Sequence, residues 1–273
     1  MKPVLLFVLG FLLIADACYS QKSKLKKNPP GTVQVNDTLF VDITEMPNVG
    51  WREYLHYLIG VKKDTLAYEQ AFPDTTIWTV DNTGRGEYYF RHPSFNDSPV
   101  VGISYDQVIA FCKWRTFVVN LALYVKENNI SDWRLHLTDS FPIRLYYRLP
   151  TTTEWETIAA GKYLIDKFPY GYPDIYVKQK RGQKIAFNCR YISESNPDNP
   201  VMSFYTVSVN SFFKNSSGTY NMIGNVAEMV AEEGTAKGGS FFNLLEDCKI
   251  TQNQQFQKPE RWLGFRCVAV KLK

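Results

Sequence analysis

"MIGNVAEMVAEEGTAKGGSFFNLLEDC", Met222 to Cys248, decides how the chain is read. The turn Gly238-Gly239-Ser240 leads into a segment where a thiol would be chemically useful, yet the third residue after the serine is Asn243, and only Cys248 follows. The stretch lies in the part of the chain beyond Gly161 that is rich in Gly, Pro, Asn and aromatic residues. Such a composition predicts much irregular structure held by packing and cross-links rather than by long helices or strands.

Outward from this segment, the whole chain has 273 residues, 45% of them hydrophobic and 15% aromatic. That is enough for one large core and argues against disorder or a solenoid. The formal charge of +4 includes Lys22, Lys24, Lys26 and Lys27, so the remainder is nearly neutral and carries no electrostatic footprint for nucleic acid. The organisation expected is a signal segment, a linker over 21–30 and one domain over 31–273.

Met1-Lys2 followed by "PVLLFVLGFLLIA" and "ADACYSQ" reads as an export signal: a charged start, an apolar stretch too short to span a bilayer comfortably, and small residues at a cleavage site. Two cuts compete. One follows Ser20 and releases a soluble chain; the other precedes Cys18, which would become the lipid anchor of a lipoprotein. The chain is therefore expected in the periplasm or at the outer membrane. Cys112, Cys189, Cys248 and Cys267 remain after export, and four cysteines in an oxidising compartment imply two disulfides with three possible connectivities.

"GTVQVNDTLFVDITEM" alternates on both sides of Asn36-Asp37 and predicts a two-stranded hairpin. "GWREYLHYLIG" predicts a helix with Trp51, Tyr54, Leu55 and Leu58 on one face, ended by Gly60. From about Val61 to Asp97 no period is visible, and an ordered surface loop is expected. Ser104 with Gln107, and Thr151 with Glu154, have capping-box spacing and open two further helices. Between them "NISDWRLHLTDSFPIRLYY" reads as a surface excursion ending in a strand. His56, His92 and His136 stand far apart without metal-ligand spacing.

"PVVGISYDQVIAFCKWR", "YRLPTTTEWETIAAG", "GTYNMIGNVAEMV", "AKGGSF" and "LGFRCVAV" occur in the order found in the formylglycine-generating enzyme, or sulfatase-modifying factor, family, which the chain resembles from about Gly31 to Lys273. The resemblance implies an irregular α+β fold related to C-type lectins, with little regular secondary structure. It also implies disulfides Cys112–Cys267 and, with that pair joined, Cys189–Cys248. Enzymes of the family hold copper(I) on two cysteines placed three and eight residues after the Gly-Gly-Ser serine. Here those positions are Asn243 and Cys248. An amide oxygen is a hard donor and cannot replace a thiolate for this soft ion, so copper is not expected and the two positions are read as a degenerate catalytic site.

The family's calcium ligands fall on Asn221, Gly224, Val226 and Glu228, two side-chain oxygens and two carbonyls, a donor set suited to a hard cation. A second set would use Asn188 with the carbonyl of Cys189. "FCKWRTFVVN" followed by a long insertion before "YRLPTTTEWE" is similar to envelope proteins of this fold associated with gliding motility and type IX secretion. The function expected is thus a non-catalytic exported component that binds envelope or secretion-complex proteins, with possible outer-membrane association. The alternatives are a lectin-like ligand-binding module and a residual oxidase using Cys248.

Overall fold

The computed structural model describes residues 28–81, 86–138, 140–179, 182–193, 196–201 and 204–272. The expected signal segment and most of the linker lie outside these residues. The hairpin forms where alternation placed it: β1 (Thr32–Gln34) pairs antiparallel with β2 (Leu39–Asp42). Asn36 Oδ1 accepts from the amides of Thr38 and Leu39, so the asparagine side chain supplies the bonds that close the turn.

The next helix, α1 (Asn48–His56), starts earlier than expected and does not end at Gly60. It widens into a π-helical turn over Tyr57–Lys62, terminated by Lys63 in the left-handed region at φ 56°. Pro47 precedes the first turn, where a missing amide costs little. The stretch read as a loop from Val61 to Asp97 holds short helices instead: α2 (Thr65–Ala71), α3 (Gly86–Arg91) and 3-10 turns at Thr75–Asp81 and Pro93–Phe95. Each is too short to show a period in sequence. Tertiary contacts hold them, among them the Trp51 indole donating to the Ala71 carbonyl at 3.0 Å.

Both capping boxes form. Ser104 opens α4 (Tyr105–Glu127), and Thr151 opens α5 (Thr152–Ala160) after β3 (Leu145–Arg148). In α5 the Glu154 carboxylate also takes the Arg148 guanidinium on both oxygens, at 2.6 and 2.7 Å. α4 is long and apolar enough to cross a membrane by length and composition, but here Val108, Phe111, Cys112 and Leu121 are buried in the core. The surface excursion after it carries a 3-10 turn at Trp133–His136 and ends in β3 as expected.

Beyond α5 the elements are short. β4 (Tyr176–Gln179) and β5 (Gly182–Ile185) form one ribbon, and β6 (Tyr191–Ser193) and β7 (Asn196–Val201) another. β8 (Ala227–Met229), β9 (Thr235–Lys237), β10 (Asn253–Gln255) and β11 (Leu263–Gly264) make a sheet ordered β10-β9-β8-β11. β12 (Val268–Lys271) returns to the N-terminal sheet, ordered β1-β2-β12-β3.

The pairing of β12 with β2 sets Val268 opposite Val41 and Ala269 opposite Phe40. Successive side chains point to opposite faces, and both faces are covered. Phe40 and Ala269 join a core with Trp51, Phe111 and Phe265 beneath α1 and α4. Leu39, Val41 and Val268 join a second core with Trp155, Ile158 and Ile250 beneath α5. Mixed helices and short sheets with extensive irregular chain are the architecture expected from the sequence.

Candidate functional site

The Gly238-Gly239-Ser240 turn is built for close approach. Gly238 and Gly239 have φ of 86° and 65°, and a β-carbon on Gly239 would sit 2.3 Å from Cys248 Sγ. Only glycine fits there. The chain then turns through Asn243, whose Oδ1 accepts from the Ser240 amide at 3.1 Å and the Ser240 hydroxyl at 2.7 Å. The Ser240 hydroxyl in turn accepts from the Phe242 amide. Outside the turn, the Arg190 amide donates to the Asn243 carbonyl, and the Leu245 amide donates to the Arg190 carbonyl.

Asn243 is therefore a turn-closing residue, its amide oxygen used by Ser240. Cys248 lies at the end of a 3-10 turn over Leu245–Cys248 and is fully buried. Its thiol is pushed well above the ordinary range, first by a hydrogen bond with Cys189 and then by burial. A thiol so placed is a poor nucleophile, because the thiolate is the reactive form. Cys189 is also buried, at 3% exposure. The other two cysteines meet as well, with Cys112 Sγ 3.6 Å from Cys267 Sγ. The fold thus juxtaposes the two pairs implied by the resemblance, Cys112 with Cys267 and Cys189 with Cys248.

Of the four positions expected to hold calcium, Glu228 and Asn221 have their side chains bonded within the protein. Glu228 is buried, with Oε2 accepting from Arg266 Nε at 2.6 Å and from the Trp155 indole at 2.8 Å, while Oε1 takes Arg266 Nη2. A dication at this carboxylate would stand beside a buried guanidinium, and the Coulomb repulsion would be large in so dry a site. Asn221, at φ 49°, donates through Nδ2 to Glu45 and to the Ser208 and Val209 carbonyls. Arg266 supplies the positive charge that neutralises Glu228, so a calcium ion on Asn221, Gly224, Val226 and Glu228 would have to displace these bonds. In the second set, the Asn188 side-chain amide donates to the Tyr205 carbonyl at 2.9 Å and to Asn225 Oδ1 at 3.1 Å.

Arg266, Glu45 and Asn225 were not singled out by sequence reasoning. The Arg266 guanidinium is fully buried and also donates to the carbonyls of Asp42 and Tyr220. Glu45 receives the side-chain amides of Asn221 and Asn225. Its carboxyl is pushed up to about 8, by burial first and by Glu228 in addition, with Arg266 opposing. Nearby, Asp42 takes both terminal nitrogens of Arg115 at 2.6 and 2.7 Å and accepts from the Cys267 amide. Charge in the cluster closes when Asp42 faces Arg115, Glu228 faces Arg266 and Glu45 stays protonated. The signal for Arg266 was a charged residue inside the apolar run "LGFRCVAV", which only a buried partner makes tolerable.

Residues 9–271 match the FGE-sulfatase family, described as the sulfatase-modifying factor enzyme 1-like domain, and the chain belongs to this family. No curated protein matches the sequence. Among solved structures, CarF aligns with a TM-score of 0.50 at 18% identity, over 89% of this chain and 96% of that one, a likeness of fold alone. Treponema denticola variable protein 1 aligns at 16% identity and TM-score 0.44, over 89% of this chain and 91% of that one. PvdO from Pseudomonas aeruginosa aligns at 18% identity and TM-score 0.38, over 65% and 63% respectively.

Proposed function

We propose that this member of the sulfatase-modifying factor family is an exported, non-catalytic binding or structural component of a bacterial envelope, linked to secretion or gliding motility. One observation carries the reading: Asn243, where the family's first copper thiolate would stand, has its amide oxygen bonded to the Ser240 amide and hydroxyl. Catalysis would need two thiolates open to a substrate. The thiol that meets Cys248 is Cys189 instead, and both are buried. In an oxidising compartment such a pair closes as a structural disulfide.

Export rests on the apolar N-terminal segment and its small-residue cleavage region. The link to secretion or motility rests on the long segment between Asn120 and Tyr147, and the partners proposed are envelope or secretion-complex proteins. A sulfatase-type cysteine peptide incubated with copper-supplied protein and oxygen should yield no aldehyde product by mass spectrometry. Alkylation of the secreted chain without reductant should label none of Cys112, Cys189, Cys248 and Cys267. Aldehyde formation lost in Cys248→Ser would overturn the non-catalytic reading.

A further inference from the structure

A groove of about 790 Å³ runs between α4, α1 with its π-helical turn, and the loop after β2. This lies within the roughly 300–1,000 Å³ of small-molecule sites. On α4 its lining includes Trp114, Val118 and Ala122, which fall in one row along the helix, with Val119 beside them. All four are apolar and only half-buried. At about 1.5 Å of rise per residue the row is roughly 12 Å long, a narrow apolar floor that suits one acyl chain.

The facing wall is one face of α1, with Val49, Arg52, Glu53 and His56 at helical spacing. Arg52 is the cation there that no anion answers. Its Nη1 donates to the Phe90 carbonyl and its Nη2 to Asn96 Oδ1, and the Phe90 ring centroid lies 6.0 Å from Cζ. These partners are all neutral, and burial pulls the Arg52 pKa below its ordinary value with no carboxylate opposing it. Asn96 also lines the groove, so the guanidinium end of Arg52 stands at its wall. A guanidinium carries more N–H groups than these two acceptors use.

The other charges in the lining are paired or suppressed. Arg115 is held by both oxygens of Asp42. Glu45, pushed up to about 8, keeps its proton at neutral pH, and burial raises Glu53 to about 7. The groove thus sets an uncompensated, partly desolvated cation beside an apolar floor. Such a cation gains more from an anion than a fully hydrated one does, and a planar guanidinium matches a carboxylate on two N–H groups.

We infer that the groove along α4 binds a single-chain fatty acid, its carboxylate taken by Arg52 and its chain lying on Trp114, Val118, Val119 and Ala122. The site is separate from the Ser240–Cys248 turn and does not depend on whether that turn is catalytic.

The probe is myristate, titrated below its micelle concentration into the delipidated mature protein and followed by native mass spectrometry and tryptophan fluorescence. The neutral control of equal chain length is 1-monomyristoylglycerol. Saturable one-to-one binding of myristate, tighter than that of the glyceride, is expected. Arg52→Gln should weaken myristate about tenfold or more and leave the glyceride nearly unchanged, while Arg52→Lys, which keeps the charge, should retain most of the affinity. Val119→Trp fills the floor and should weaken both ligands. Circular dichroism establishes that each variant is folded; where one is not, the comparison of myristate with the glyceride in the unaltered protein carries the test.

Absence of saturable myristate binding overturns the proposal. Equal or tighter binding of the glyceride overturns it too, as does unchanged myristate affinity in folded Arg52→Gln. A concentration-dependent dimer that Val119→Trp dissociates, without myristate binding, assigns the groove to a second copy of the chain instead.

Discussion

The N-terminal sheet with α4 and the irregular chain from about Thr206 to Cys248 solve the same problem by different means. In the sheet, β2 and β12 satisfy each other's backbone through a ladder, and side chains only have to fill space on two faces. In the irregular region, buried asparagines do what ladders do elsewhere. Asn215 donates to the Ile158 and Ala159 carbonyls and accepts from the Ser217 and Thr219 amides. Asn225 donates to Glu45 and the Val207 carbonyl while accepting from the Val207 amide and Asn188. The lesson is that irregular chain concentrates stability in a few polar side chains, so single substitutions there should cost more than comparable changes in helix caps or ladders.

Arg266 is the strongest way to test that contrast, because it joins the two regions, reaching from the end of the sheet to Glu228 and the Tyr220 carbonyl. Arg266→Ala leaves the buried Glu228 without its cation and should destabilise the fold by about 3–5 kcal/mol in urea denaturation. Next in size, Asn225→Ala strands Glu45 and the Val207 amide, and a loss of about 2–3 kcal/mol is expected. Should that variant cost no more than a helix cap, the contrast between the regions would fail.

Stability should also depend on pH through Glu45. Its folded carboxyl is raised from an ordinary 4.5 to about 8, so the folded state holds its proton more tightly than the unfolded chain does. The contribution is therefore complete below about pH 4.5 and is lost as pH rises through about 8. Glu53, raised to about 7 by burial, adds to the decline over the lower part of this window. Melting temperatures across pH 5–9 should fall with pH, and Glu45→Gln should flatten the slope.

The smallest effect belongs to the regular region. Ser104→Ala removes the oxygen that accepts from the Gln107 amide at the start of α4 and should cost about 1 kcal/mol in the same denaturation assay. A cost as large as that of Asn225→Ala would mean that caps matter as much here as buried amides.

The sequence by itself determined the elements whose information is local. Asn36 marked the hairpin, and the Ser104 and Thr151 boxes marked the starts of α4 and α5, because capping and turn bonds form between residues a few positions apart. The motif order also carried the family, since motifs such as "GTYNMIGNVAEMV" specify irregular backbone that few other residues could build. Only the tertiary structure decided the rest. The short helices from Thr65 to Phe95 have no period because packing, not amphipathicity, stabilises them. The chain brings Arg266 to Glu228 across a separation of 38 residues, a pairing that no local pattern announces. The pairing of Glu45 with Asn225, 180 residues apart, arises the same way. Charge compensation and burial depend on which distant segments meet, and spacing along a chain does not record that.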